Sequence, residues 1–308
     1  MNQTTPPARI AIIGSGAVGC YYGGRLAQHG NDVHFLMRRD LNHVLAHGLT
    51  IHSVHGDFQL PNVQAHGDTQ SIGPSDLVII TLKATDNKAL LDLIPPLLKP
   101  DTMLLTLQNG LGIEPWLAEH FGSARVLGGL CFVCINRTSP GVIEHYSQGA
   151  VTLGEYERPP QPRSESLASE WQRCGIECVV APDLLQARWR KLVWNIPFNG
   201  LAIAAGGIDV GQILANPGHR AQAIALMEEV IAIAKTLGHP LPEDLLADQL
   251  ARTEQMGSYK PSSLIDYHAG RPVELEAIWG EPLRQGQQAG ACVEQLQALY
   301  RLLETALT

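Results

Sequence analysis

Ile10-Ala11-Ile12-Ile13-Gly14-Ser15-Gly16-Ala17-Val18-Gly19 decides the fold. Four apolar residues in a row predict a short buried strand, and the glycines follow in the order G-x-G-x-x-G. The first glycine allows a tight turn. The second lets backbone approach a pyrophosphate, and the third lets a helix pack on the strand. Cys20-Tyr21-Tyr22-Gly23-Gly24-Arg25-Leu26-Ala27 continues as a helix, Gly30 closes it, and Val33–Met37 predicts a second strand. This is the opening of a dinucleotide-binding βαβ unit. The free N–H groups at the start of its helix suit phosphate.

The end of the second strand speaks to which dinucleotide. An acid there accepts from the ribose 2′-hydroxyl in NAD-selective folds. Here the strand runs out as Phe35-Leu36-Met37-Arg38-Arg39, and Arg38 stands 19 residues after Gly19, where that acid belongs. A guanidinium pairs with a 2′-phosphate and stacks on adenine, so Arg38 predicts NADPH/NADP. The competing reading gives the acid role to Asp40 and the preference to NAD.

The alternation continues. Strands are expected at Leu77–Thr81, Met103–Leu107 and Val126–Val133, with shorter ones at Gly141–Tyr146, Ala150–Gly154 and Ile176–Val180. Helices fall at Leu41–Ala46, Lys88–Leu98 and Glu114–Phe121, and Tyr156–Ser166 reads as an exposed loop. Strands alternating with helices argue for an α/β parallel sheet covered on both faces. Beyond Pro182 strand signals fade and helical periodicity takes over. Leu226, Val230, Ile233 and Leu237, with Met227, Ile231 and Ala234, put a wide apolar face on a helix at 219–238. That face suits a homodimer interface as well as a core. Further helices are expected at Glu243–Met256, Val273–Gln287 and Val293–Leu307. The expected domains are therefore 1–181, nucleotide-binding, and 182–308, all-α.

A chain of 308 residues has room for two such domains. Its net charge of −8 argues against nucleic acid as a partner. Apolar runs such as Leu77-Val78-Ile79-Ile80 are far too short to cross a membrane. The polar start, Met1 to Pro7, reads as no signal peptide, so a cytoplasmic location is expected. Cys131 and Cys134 form C-x-x-C on a strand, where positions three apart face opposite ways, and no second pair stands at zinc spacing. His43 and His47 have helical i, i+4 spacing, but no thiol or carboxylate pattern supports a metal. No metal is expected.

Three clusters carry chemistry. Lys191, Asn195 and Asn199 recur at i, i+4, i+8 on an otherwise apolar helix interrupted by Pro197. Amides orient neutral oxygens, and an ammonium can donate a proton to a developing alkoxide. Ser262-Ser263-Leu264-Ile265-Asp266 precedes Ala269-Gly270-Arg271-Pro272 and Glu274, a carboxylate able to aim a nearby amine. Leu107-Gln108-Asn109-Gly110-Leu111-Gly112 follows a strand, at the sheet edge that faces ligand in open α/β folds.

Taken together these motifs resemble the ketopantoate reductase family (2-dehydropantoate 2-reductase) over Gly14 to Gly280. The matching pieces are G-S-G-A-V-G at 14–19, T-L-K-A at 81–84, L-Q-N-G-L-G at 107–112, L-G-G at 127–129 and S-P-G-V-I-E-H at 139–145. W-R-K-L-x-x-N-x-x-x-N from Trp189 and S-S-L-x-D-x-x-A-G-R-P-x-E-L from Ser262 complete the series. The resemblance implies a Rossmann-type domain plus a helical domain with the site in the cleft between them, and NADPH-dependent reduction of 2-dehydropantoate to pantoate on the way to coenzyme A. It implies that Lys191 is the general acid, that Glu274 positions it or the substrate hydroxyl, and that Ser262 binds the substrate carboxylate. Ser263 is the neighbouring alternative; Ser262 is preferred because it stands twelve residues before Glu274. Asn109, Asn195 and Asn199 would orient substrate and nicotinamide. Lys83 would lie by the cofactor together with Gly14, Ser15, Gly16, Ala17, Val18, Gly19 and Arg38.

Two positions depart from the family pattern. Tyr259 stands where members often have Asn, and Ser263 where they often have Met. The alternatives are a reductase of a different 2-oxo acid, separable by a substrate panel, and a non-catalytic NADP-binding redox sensor. A sensor has no need of Lys191, Asn195 and Glu274.

Overall fold

The computed structural model describes residues 9–307. The polar stretch before them, read above as carrying no leader, lies outside the described residues.

In chain order the elements begin β1 (Arg9–Ile13), α1 (Ala17–Gln28), β2 (Asp32–Leu36), α2 (Leu41–His47), β3 (Leu49–Ser53), β4 (Phe58–Leu60), β5 (Gln64–His66) and β6 (Leu77–Ile80). Next come α3 (Leu90–Leu93), β7 (Met103–Thr106), α4 (Ile113–Phe121), β8 (Val126–Ser139), β9 (Val142–Glu155), α5 (Pro162–Arg173) and β10 (Cys178–Val180). Helices complete the chain: α6 (Leu184–Ala204), α7 (Val210–Ala215), α8 (Pro217–Thr236), α9 (Leu245–Glu254), α10 (Ser262–His268), α11 (Glu281–Gln288) and α12 (Glu294–Leu307). The chain divides into two compact units. Residues 9–108 with 113–184 form one, and Asn109–Gly112 with residues 185–307 form the other. Ala181–Pro182 falls in the connection between β10 and α6.

The first unit is built on one sheet in the order β4-β3-β9-β8-β7-β6-β1-β2-β5, with β10 beside β9. From β5 to β8 all neighbours run parallel. Period-2 alternation in β1 sends Ile10 and Ile12 into the core beneath α1 and α5, and Ala11 and Ile13 into the core beneath α3 and α4. Both faces are covered, which is why the strand reads as a continuous apolar run. The chain leaves β1 for β2 on one side and returns to β6 on the other. The turn after β1 therefore sits at a topological switch point, where open α/β sheets take ligand.

Three sequence expectations need correction. The helix expected over Lys88–Leu98 is one short α-turn, α3, between two 3₁₀ segments, Ala84–Ala89 and Pro95–Leu97. The consecutive prolines 95 and 96 remove the N–H groups a longer helix needs. The two short strands expected at Gly141–Tyr146 and Ala150–Gly154 are one fourteen-residue strand, β9, paired antiparallel with β8 through several register shifts. The loop expected over Tyr156–Ser166 gives way at Pro162 to α5. Its start is set by a proline in the first turn and a reciprocal capping box between Gln161 and Ser164.

The second unit is helical. The apolar residues of α8 are used internally: Leu226, Met227, Val230, Ile233 and Ala234 are fully buried in its core. Glu229, on the same helix, does the work of an N-cap for another one. Its carboxylate accepts from the Gln295 and Leu296 N–H groups at 3.0 and 2.7 Å, at the start of α12. Those are orphan donors of a helix N-terminus, and a negative charge there also suits the helix dipole. Glu229→Ala is expected to cost about 1–3 kcal/mol and to lower the thermal midpoint by several degrees. An unchanged midpoint in a calorimetric scan would show that α12 is not held this way.

No helix among the described residues is long and apolar enough to cross a membrane. No group of three or more His, Cys, Asp or Glu among them is arranged to hold a metal ion. The His43 and His47 rings lie 4.8 Å apart, and all six cysteines are free.

Candidate active site

The glycine turn of the first unit is shaped by three close approaches. Gly14 has φ +106°, and a Cβ there would stand 2.4 Å from the Leu82 backbone nitrogen. A Cβ on Gly19 would meet the Gly14 carbonyl oxygen at 2.4 Å. Thr81 locks the turn from the end of β6, its hydroxyl donating to the Gly14 carbonyl. Gly16 is the opposite case: exposed, the N-cap of α1, and with nothing within 4 Å of a built Cβ. The first turn of α1 carries no acidic residue, and no side chain caps it. The turn thus combines open space, free helix-end donors and a first helical turn without an acid, which fits a phosphate group. Ser15 ties this turn to the end of the second strand, its hydroxyl donating to the Leu36 carbonyl at 2.7 Å.

Arg38 lies just past β2 and is exposed. Asp40 is committed elsewhere, its carboxylate accepting from the Arg137 guanidinium at 2.5 Å. Lys83 is half-buried at the N-cap of the 3₁₀ turn that follows β6.

The second unit brings Lys191 and Asn109 together. Lys191 lies on α6, half-buried, and its Nζ donates to Asn109 Oδ1 at 2.7 Å. Eighty-two residues separate the two, so the contact depends on how the segment Asn109–Gly112 is seated. Gly110 has φ +96°, and a Cβ on it would stand 2.2 Å from the Ala277 carbonyl oxygen. That same carbonyl accepts from the Leu111 N–H at 2.8 Å. Ala277 belongs to a π-helical turn, Glu276–Gly280. Such wide turns are frequent at functional sites, because they shift the backbone out of α register. Glu274 is half-buried immediately before it, and its carbonyl accepts from Ile278 N–H at 3.1 Å.

On α6, Asn195 and Asn199 are buried, one and two turns beyond Lys191. Asn199 receives the Ser263 N–H on its Oδ1 at 3.0 Å and donates from Nδ2 to the Asn195 carbonyl at 3.1 Å. It therefore fixes the start of α10, with Ser263 buried and Ser262 exposed. Pro197 sits inside α6 without an N–H to donate, and Trp279 packs here, its indole N–H donating to the Ile196 carbonyl at 2.9 Å. Gly200 admits that indole: a Cβ there would lie 2.9 Å from Trp279 Nε1. The helix is thus fastened to the π-helical turn as well as to the serine turn. A lysine, three asparagines, two serines and a carboxylate come from α6, the Asn109–Gly112 segment, α10 and the approach to the π turn. Sequence reasoning named all of them. It had no signal for Ala277 and Trp279, which seat them, since both read as ordinary apolar positions.

A mainly parallel sheet with a phosphate-accepting turn at its switch point, joined to a helical unit presenting an amine among amides, defines the Rossmann-type class of oxidoreductases. Within that class the chain belongs to the ketopantoate reductase PanE/ApbA family: residues 10–158 match its N-terminal model, and 183–306 the C-terminal one. The chain is 40% identical over 301 residues to a 2-dehydropantoate 2-reductase of Nostoc sp., covering 96% of this chain and 94% of that one. It is similar to the crystal structure of a 2-dehydropantoate 2-reductase from Geobacter metallireducens, with TM-score 0.94, 44% identity and coverage of 97% and 99%. A D-mandelate dehydrogenase solved with NADH and anilino(oxo)acetate shares the fold, with TM-score 0.87 at 21% identity and coverage of 97% and 98%.

Proposed function

We propose that this protein reduces 2-dehydropantoate (ketopantoate) to (R)-pantoate with NADPH, a step of pantothenate and coenzyme A biosynthesis in the cytoplasm. The observation that carries the reading is the Lys191–Asn109 contact: an amine held at 2.7 Å by an amide, on a helix whose next polar positions are Asn195 and Asn199. The names of the relatives above support the substrate.

Gly14–Gly19, Lys83, Arg38 and Asn109 would hold the cofactor, which when bound supplies a hydride. Lys191 Nζ delivers a proton to the 2-oxo oxygen as it gains charge, so the carbonyl becomes a hydroxyl with no free alkoxide. Asn109 Oδ1 takes one amine hydrogen and fixes the direction of the others. Glu274 orients the amine or the new hydroxyl. The serine turn supplies the carboxylate contact: Ser262 offers an exposed hydroxyl, while Asn199 holds the adjoining Ser263 backbone in place. Asn195 orients the substrate from the same face of α6.

The test is steady-state oxidation of NADPH with a panel of 2-oxo acids. Ketopantoate should give the highest kcat/KM. A higher value for an unbranched or aromatic 2-oxo acid would reassign the substrate. Arg38→Ala should raise the KM for NADPH on the order of tenfold or more while changing that for NADH little, because only the former has a phosphate for a guanidinium to pair with. Equal losses for both would return the selectivity to another group.

A further inference from the structure

Asp40 stands two residues beyond Arg38, where it is the one nearby candidate for an acid that selects against a 2′-phosphate, yet it is not a free carboxylate. It is the N-cap residue of α2 but makes no side-chain cap bond, although aspartate is among the favoured residues there. Its side chain, only 12% exposed, turns instead to Arg137 on β8, ninety-seven residues away. Arg137 is aimed there by a local irregularity. The β8–β9 register shifts between Arg137 and Ser139, and a bulge of this kind re-aims the side chain beside it.

Asp40 stands two residues after Arg38 along the chain, and Arg137 is paired with it. The Cys20 thiol, near the start of α1, donates to the Ser15 carbonyl at 3.4 Å. That thiol is pushed up to about 12, chiefly by burial and also by Asp40, while Arg137 lowers it, so both charges are felt at the helix that opens the turn. Ser15 in turn grips Leu36, at the end of the strand that leads to Arg38 and Asp40. An unpaired carboxylate at such a spot, little exposed and so weakly screened, repels a phosphate dianion and welcomes a ribose hydroxyl. Paired with a guanidinium, it has no net charge to do either.

We propose that Arg137 is a positioning residue for cofactor choice: by neutralising Asp40 it removes the repulsive element that would favour NAD, leaving Arg38 to receive the 2′-phosphate of NADP. The inference rests on the cofactor reading above and adds to it a residue that acts through Asp40. Discrimination here comes from silencing a charge as much as from adding one.

The experiment measures kcat/KM for NADPH and NADH in the wild-type protein and in Arg137→Met, Arg137→Lys, Asp40→Asn and the Asp40→Asn/Arg137→Met double variant. Arg137→Met should lower the NADPH-to-NADH ratio on the order of tenfold relative to wild type, chiefly through KM. Arg137→Lys should keep most of the ratio. The double variant should restore it, because the unmasked carboxylate is gone, and Asp40→Asn alone should keep or raise it. Equal losses for the two cofactors in Arg137→Met, or a double variant that stays low, would overturn the proposal and leave Arg137 a structural tie between β8 and α2. Should Arg137→Met fail to fold, Asp40→Asn decides: a tenfold fall in the ratio there contradicts the proposal. The wild-type ratio itself tests the cofactor reading, whereas the change on substitution tests the role of Arg137.

Discussion

Lys191→Ala is expected to lower kcat with ketopantoate by about 10²–10⁴-fold, the range over which a positioned general acid contributes to a proton transfer. Binding of NADPH, followed by fluorescence titration, should survive, because the phosphate-accepting turn is made by residues 14–19 of the other unit. The two readouts separate chemistry from binding: an interaction formed only as charge develops on the substrate oxygen appears in kcat and not in cofactor affinity. Turnover within a factor of a few of wild type would remove Lys191 from the mechanism. Loss of NADPH binding together with turnover would mean that the lysine holds the cofactor rather than the reacting oxygen.

The second large effect comes from a residue with no functional group. Gly110→Ala places a methyl against the Ala277 carbonyl, which is backbone and cannot swing aside, at a φ of +96° that side chains rarely adopt. The segment must shift, and Asn109 moves with it, away from Lys191 Nζ. Misplacement of a catalytic group by about 1 Å can cost on the order of 10²-fold, so a fall of that size in kcat is expected. The backbone strain adds about 1–3 kcal/mol of destabilisation, visible as a lower thermal midpoint. Gly112 provides the comparison. It has φ +80°, but a Cβ there meets first the flexible Glu281 side chain, at 3.2 Å, so Gly112→Ala should be the milder of the two. A Gly110→Ala enzyme as active as wild type would show that the Asn109–Lys191 contact is not needed for turnover.

What could be read from the chain in advance follows from how local each determinant is. The turn at Gly14–Gly19 is specified by its own residues and the apolar run before it, and the structure keeps both where the motif puts them. The face of α6 that carries Lys191, Asn195 and Asn199 is likewise local, a matter of helical spacing. The edge strands β4 and β5 were not legible. Each has three residues, Phe58–Leu60 and Gln64–His66, and their pairing partners β3 and β2 do the specifying. The start of α5 was masked by its composition of Pro, Arg, Ser and Glu, in which the apolar residues buried in the core, Leu167, Ala168 and Trp171, come only after its first turn. Least visible were the long-range ties. The assignment of Asn109–Gly112 to the helical unit depends on Gly110 meeting Ala277, and the masking of Asp40 on a guanidinium that a register shift brings within reach. No window of sequence contains both partners.

Direct hydride delivery to C2 of a 2-oxo acid is the proposed chemistry, and one measurement addresses it. The purified protein is incubated with ketopantoate and NADPH carrying deuterium at both C4 positions of the nicotinamide, and the pantoate formed is weighed by mass spectrometry. Pantoate with one deuterium, held on C2, is expected in amount equal to the cofactor oxidised. Pantoate without the label, or no pantoate while the cofactor stays reduced, would contradict it.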